Sequence, residues 1–256
     1  MPLPVAVQRH AFLCNWMQQV LTPALWAAAR GQTVCEIGPG DCTATAALLL
    51  AGGARHVDLI EKHPPLLDRN QAEILKQLRA QGIALDLDLL QTGDQVSLNP
   101  AKATLRRFYM EDYNAERHYP FVYSLNVLEH VEDLEGFFAS CFRATLPGGW
   151  NVHIIDLGGH GEFEAPVPPL DFQTYSDRLF GWMFPPYHRA TRRFVGDYRV
   201  AAERAGFVIA DLRTLTAADP EYVRKIWPKL RPAARSRRVE EVSVIEFALI
   251  ASRPAT

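Results

Sequence analysis

The sequence predicts an α/β fold in which a mostly parallel sheet is covered by helices on both faces. Three observations predict it. The apolar run Val34-Cys35-Glu36-Ile37 breaks into Gly38-Pro39-Gly40 and leads at once into the helix-forming segment 44–51. That order reads as a buried strand, a tight turn and a helix opening against a ligand. A second short run, 56–61, ends in an acid and is followed by another helical pattern. The alternation continues through runs at 119–126 and 150–157, with an amphipathic segment at 134–144 between them. Strand and helix patterns in alternation are the signature of parallel strands joined by crossover helices.

The 256 residues suit one large domain, and a hydrophobic content of 48% argues for a packed core rather than disorder. A formal net charge of −2 offers no overall basic field for nucleic acid. The arginines at 231, 235, 237 and 238 form a local cluster that reads as a solvated face. Cys14, Cys35, Cys42 and Cys141 are scattered with no Cys-x-x-Cys pair, the pattern of free buried thiols in a reducing cytoplasm. The chain begins with no basic stretch followed by an apolar core, so no signal peptide is expected. No run of about 18 apolar residues appears, so no membrane span is expected either.

Taken in order, residues 7–30 read as helical, divided at Pro23, with Phe12, Leu13, Trp16, Val20, Leu25 and Trp26 on apolar positions. The segment either packs on the core or closes over the ligand, with His10, Phe12 or Trp16 reaching in. In the Gly-Pro-Gly turn the spacing is close to G-x-G-x-x-G, but Thr43 stands where the third glycine belongs. Phosphate-binding turns use all three glycines and a helix N-terminus. Glu36, just before the turn, would repel a phosphate and welcome an ammonium, so the ligand reads as a nucleoside carrying a cationic amino group. Glu61 follows Glu36 by 25 positions (61 − 36), and an acid at the end of the second strand can accept from two ribose hydroxyls.

Pro64 and Pro65 open a helix over 66–80 that Gly82 ends. Residues 83–105 read as an insertion with a short strand of its own. Residues 107–113 read as the third strand of the sheet, ending in Glu111 and Asp112. The fourth strand is expected over 119–126, a helix over 134–144, a turn at 147–149 and the fifth strand over 150–157. From 158 the pattern changes: glycines, then prolines, then Phe172, Tyr175, Phe180, Trp182, Phe184 and Tyr187. A helix ending near Gly206, a strand over 207–212 and a late strand over 242–251 complete the chain. No internal repeat appears.

Three stretches together carry a family resemblance. Glu36-Ile37-Gly38-Pro39-Gly40-Asp41 looks like the first motif of class I S-adenosylmethionine (SAM)-dependent methyltransferases. Leu128-Glu129-His130-Val131-Glu132-Asp133 after the fourth strand, and Leu146-Pro147-Gly148-Gly149 before the fifth, resemble the same family. The resemblance covers roughly residues 33–253. It implies a doubly wound, Rossmann-like seven-stranded sheet of order 3-2-1-4-5-7-6 with strand 7 antiparallel, in one domain spanning 1–256. It also implies a helical lid inserted at 158–193.

The resemblance implies that SAM is held by Glu36, Gly38 and Gly40 at its amino-acid end and by Glu61 at the ribose. Asp112, with Glu111 close behind, would take the adenine amino group, and Tyr113 would be the stacking neighbour. Asn126 would face the sulfonium, because open α/β sheets bind ligands at the carboxyl ends of their strands. The catalytic candidates are His130 as a base near neutral pH, Tyr175 from the lid, and Asn126. His130 also reads as a residue that fixes the loop, and Tyr187 is a second lid candidate. His153 reads as a packing residue. His188, Arg189, Arg192 and Arg193 either capture an anionic acceptor or form a solvated face. No metal-ligand spacing is present.

The implied reaction is O- or N-methylation of a small molecule in the cytoplasm by a monomer or homodimer, without nucleic-acid or membrane partners. Two alternatives stand beside it. Some relatives of the family cyclise SAM's own aminobutyrate chain to azetidine-2-carboxylate and release methylthioadenosine, chemistry that an aromatic pocket around the sulfonium would suit. The other alternative is a catalytically silent SAM-binding protein.

Overall fold

A computed structural model of the chain describes residues 2–40, 42–63, 69–93, 95–113, 118–159, 168–184 and 191–256. Its strands are β1 (Thr33–Ile37), β2 (His56–Ile60), β3 (Leu90–Thr92), β4 (Val96–Leu98), β5 (Ala103–Arg106), β6 (Tyr119–Leu125), β7 (Thr145–Asp156), β8 (Val208–Ala217) and β9 (Val244–Ser252). Seven of them form one sheet in the order β5-β2-β1-β6-β7-β9-β8, while β3 and β4 pair as a separate hairpin. Strands β5 to β7 run parallel, and β9 is antiparallel to both neighbours. With the hairpin left out, this is the order 3-2-1-4-5-7-6 with the seventh strand reversed.

Helices cover both faces: α1 (Leu3–Val20), α2 (Pro23–Ala29), α3 (Ala44–Ala51) and α4 (Arg69–Ala80) on one, α5 (Leu134–Ala144) and α7 (Val195–Arg204) on the other. α6 (Asp177–Met183), α8 (Pro220–Ile226), α9 (Pro232–Arg235) and α10 (Val239–Val242) are short. In β1 the period of two puts Val34 in the first core and Cys35 and Ile37 in the second. Glu36 therefore points towards α1 and α3. α3 is apolar on every side and buried from Ala44 to Leu50, as a helix wedged against the sheet must be. α5 is amphipathic: it buries Leu134, Phe137, Phe138, Cys141 and Ala144, and Asp133 caps it by accepting from the Gly136 N–H at 2.9 Å. Burying Phe137 and Phe138 stabilises the fold by about 1.5–3 kcal/mol each.

The third sheet strand lies earlier than the sequence suggests. It is β5, and residues 107–113 leave the sheet as a loop with one 3-10 turn, Met110–Asp112. The register is fixed by Arg106, whose Nε donates to the fully buried Asp58 of β2 at 2.9 Å. Met110 and Tyr113, which look like strand positions, are buried as loop anchors, and Ser140 of α5 holds this loop by donating to the Glu111 carbonyl at 3.2 Å. The expected turn at 147–149 is absorbed into β7, whose pairing with β6 shifts register between Tyr119 and Phe121. The expected helix over 66–80 begins by Arg69; residues 64–68 lie outside the described residues.

At the other end of the sheet, β8 runs to Ala217, and residues 218–243 fold as α8, α9 and α10 around a third core with Leu170 and Phe194. Arg231 is not part of a solvated face. Its side chain is only 11% exposed, with Nε donating to Gln173 Oε1 at 2.9 Å and Nη1 meeting Asp177 at 3.1 Å. In the segment expected to form a lid, Phe172 and Phe180 are buried and pack with ring centroids 6.2 Å apart, whereas Trp182 is 83% exposed.

Candidate active site

The turn after β1 is shaped by two glycines with φ of +64° each, a conformation that L side chains rarely adopt. A Cβ on Gly38 would lie 2.6 Å from Val127 Cγ2, so this glycine also permits close packing against the loop after β6. A Cβ on Gly40 would meet nothing within 4 Å among the described residues, which leaves that backbone open to a ligand. The Gly38 N–H donates to the Ile60 carbonyl at 2.9 Å and ties the turn to the end of β2.

Glu36 is 2% exposed. Thr45 Oγ1, on the first turn of α3, donates to its Oε1, and Tyr123 Oη, its register partner in β6, donates to Oε2 at 2.8 Å. Burial outweighs both donors and lifts its pKa from 4.5 to about 7. At the end of β6, Asn126 has φ +52°, and its Oδ1 is buried without a hydrogen-bond partner among the described residues. The backbone conformation costs roughly 1–3 kcal/mol and the unmet acceptor a similar amount. Strain and an unmet acceptor thus coincide at one residue beside the Gly turn.

Glu36, Gly38, Gly40 and Asn126 line one cavity of about 80 Å³, together with Arg9, His10 and Leu13 of α1, Pro39, Cys42, Thr45 and Leu125. Five of the residues singled out from sequence, His10 among them, are thus gathered in one place. Glu61, Asp112, Tyr113, His130 and Tyr175 are not among the cavity's walls. Glu61 is nevertheless adjacent by register: it follows Ile60, the partner of Ile37, and its Oε1 accepts from the His63 N–H at 2.9 Å. Asp112 is exposed on the 3-10 turn, where the pKa of its neighbour Glu111 is raised chiefly by burial. Tyr113 is 5% exposed, its ring 6.0 Å from that of Phe108. His130 is exposed at the end of the turn Leu128–His130, directly after the fully buried Glu129. Tyr175 is half-buried. Tyr187, His188 and Arg189 lie outside the described residues.

Neither Arg192 nor Arg193 forms a solvated face or an open anion clamp. Arg192 donates to the Tyr175 carbonyl, lies 3.4 Å from Asp177 and stacks 4.7 Å from the Phe180 ring centroid. Arg193 donates to the Val131 and Glu132 carbonyls. His153 is a packing residue: burial lowers its pKa to about 3, and it sits in a buried chain from Ser124 through His153 and Asn151 to Thr145. Cys14, Cys35, Cys42 and Cys141 are all buried. Among the described residues no helix is long and apolar enough to cross a membrane, and no cluster of three His, Cys, Asp or Glu could hold a metal ion.

Sequence reasoning missed Arg9, Thr45 and Tyr123. Thr45 had a signal, since it falls on the first turn of the helix that the Gly turn opens; Tyr123 had none until register was known. A larger apolar cavity, about 710 Å³, lies among Thr214, Val223, Trp227 and Val244. It sits at the β8 end of the sheet, three strands from β6, and lacks the convergent polar groups that mark the smaller one.

No protein-family model matches the sequence, and no curated protein matches it. Solved structures do. A protein assigned as a SAM-dependent methyltransferase from Listeria monocytogenes aligns with 93% of this chain and 96% of its own, at a TM-score of 0.51 and 15% identity. A SAM-dependent methyltransferase from Mesorhizobium loti aligns with 90% and 96%, at 0.51 and 18% identity. A protein assigned as a sarcosine dimethylglycine methyltransferase from Galdieria sulphuraria aligns with 95% and 86%, at 0.54 and 15% identity. The chain therefore has the Rossmann-like fold of class I SAM-dependent methyltransferases. At these identities the likeness is one of fold.

Proposed function

We propose that the chain is a SAM-dependent methyltransferase acting on a small-molecule acceptor. The observation that carries this reading is the joint presence, around an open glycine turn, of the buried Glu36 and the unmet Asn126 Oδ1. Both are acceptors at the carboxyl edge of the sheet, so a ligand offering an ammonium complements them and a phosphate does not. SAM, when bound, supplies a methyl group on a sulfonium, already activated for displacement.

The chain's residues have the work of binding, orienting and moving a proton. Glu36 and the backbone at Gly38 and Gly40 hold the amino-acid end, Glu61 accepts from the ribose hydroxyls, and Asp112 accepts from the adenine amino group beside Tyr113. Asn126 orients the centre of the ligand. His130, exposed after β6, takes the proton that an O–H or N–H acceptor loses. Tyr175, with residues 168–184, closes over the acceptor as a lid. A net charge of −2 favours a small molecule over nucleic acid as the acceptor.

Incubating the purified protein with SAM alone, and then with panels of small hydroxyl and amine acceptors, tests the reading. S-adenosylhomocysteine formed only when an acceptor is present is the expected result. Methylthioadenosine with a four-carbon cyclic amino acid from SAM alone would replace methyl transfer by cyclisation. Absence of SAM binding by calorimetry would overturn both.

A further inference from the structure

α1 precedes the first strand of the sheet and carries none of the three motifs, yet it forms one wall of the cavity beside Glu36. Arg9 and Leu13 stand one helical turn apart on the same face, and His10 lies between them in sequence and is 4% exposed. The helix is anchored independently of those contacts by Val7, Cys14, Trp16, Met17 and Val20, all buried in the first core. Arg9 itself is exposed, so its guanidinium stands at the rim and keeps its hydration until a ligand arrives.

The cavity is thus bounded by one cationic and one acidic side chain. Its volume is about 80 Å³. The head of an α-amino acid, an ammonium and a carboxylate on one carbon, offers one group to each of the two side chains. Both Glu36 oxygens already accept one hydroxyl each, and a carboxylate has about four acceptor positions, so capacity for an ammonium remains. The carboxylate of the same head group then needs donors, and Arg9 brings a planar fork of them that matches it. Leu13 and Leu125 leave little room for bulk water between the two.

We propose that Arg9 binds the carboxylate of SAM's amino-acid end while Glu36 binds its ammonium, which makes α1 a working wall of the cofactor site and not only a covering helix. This rests on the reading that the site takes SAM. It adds a specificity: the site distinguishes adenosyl ligands that carry an amino-acid head from those that do not.

The test compares SAM, S-adenosylhomocysteine and 5′-methylthioadenosine, which lacks the amino-acid carboxylate, by calorimetry on wild type, Arg9→Ala and Arg9→Lys. Loss of a charge-assisted pair predicts roughly tenfold or greater weakening of SAM and S-adenosylhomocysteine in Arg9→Ala. Methylthioadenosine should bind wild type and Arg9→Ala equally, and Arg9→Lys should recover part of the lost affinity for SAM. Unchanged thermal unfolding of Arg9→Ala would confirm that an exposed side chain was removed without harm to the helix. If Arg9→Ala weakened all three ligands alike, or weakened none while wild type bound SAM, the role given to Arg9 would be overturned and the methyltransferase reading would stand. If wild type bound none of the three, both would fall.

Discussion

Glutamine at position 36 tests the site's electrostatics directly, because it keeps the shape of the side chain and removes its titration. Glu36 has its pKa lifted from 4.5 to about 7 by burial, against the opposing pull of the Thr45 and Tyr123 hydroxyls. The folded state therefore holds a proton between pH 4.5 and 7 that the unfolded chain has already released. Stability from this group is fully present below pH 4.5 and is lost as pH rises through 7. The 2.5 units (7 − 4.5) correspond to about 3 kcal/mol in full, of which about 2–3 kcal/mol is lost between pH 5 and 8. His153 acts in the other direction: held neutral by burial, it costs stability as pH falls below 6.5. The wild-type profile sums both, so the informative quantity is the difference between wild type and Glu36→Gln. Urea unfolding at pH 5, 6, 7 and 8 should show the variant gaining on wild type by about 2–3 kcal/mol across that range. Parallel profiles would refute the claim that Glu36 is buried without a compensating charge. The same titration has a ligand signature. If an ammonium seats on Glu36, SAM binding near pH 7 expels a fraction of a proton, measurable by calorimetry in buffers of different ionisation enthalpy, and Glu36→Gln expels none.

Three further outcomes are expected. Glu61→Ala should weaken SAM by more than tenfold if both ribose hydroxyls rest on it; unchanged affinity would remove Glu61 from the site. His130→Gln should slow methyl transfer by about a hundredfold or more while leaving SAM affinity unaltered, as loss of a general base does; equal loss in binding would mean that His130 only fixes the loop. Tyr222 donates to Asp171 at 2.8 Å and accepts from the Leu170 N–H at 3.0 Å, and Arg231 holds Gln173 and Asp177. Arg231→Ala should therefore raise amide exchange in 168–184 at least tenfold without changing exchange in β1 or β6; uniform acceleration across the chain would show global destabilisation instead.

The elements that the sequence announced were those whose apolar pattern had a single solution. The run into Gly38 could only be a strand meeting a turn, and Leu134, Phe137, Phe138 and Cys141 fall on one face of a helix and nowhere else. The third strand was misplaced for a physical reason. Ala103-Thr104-Leu105-Arg106 is a short run that becomes a strand by pairing in parallel with β2, where Arg106 meets Asp58, 48 residues earlier, and no local pattern reveals that pairing. Met110 and Tyr113 are buried because they anchor a loop, so their burial is no sign of a strand. The same limit applies at the site. Glu36 was visible as an acid before a glycine turn, but its burial depends on register with Tyr123 and on α1 lying overhead, and Arg9 could not be connected to it from 27 residues away (36 − 9). Clustered arginines usually mark a surface, and only the packing of residues 168–184 against Arg231 turns it inward.

This division of legibility follows the division of labour in the molecule. Glu36, Gly38, Glu61 and Asn126 stand at the ends of β1, β2 and β6, strands buried on both faces and paired on both sides, so their positions are set by the most rigid part of the fold. The part of the site built on that edge is therefore placed by the sheet alone. The segment 168–184 has no strand to hold it. Its placement depends on Tyr222 and Arg231, which belong to an insertion between β8 and β9, at the opposite end of the sheet from β5. Acceptor recognition by Tyr175 would then be governed by residues more than forty positions later in sequence, through hydrogen bonds that leave the cofactor edge untouched. Substitutions at Tyr222 or Arg231 should accordingly change the range of acceptors before they change SAM affinity. The opposite order would place control of residues 168–184 in the sheet itself.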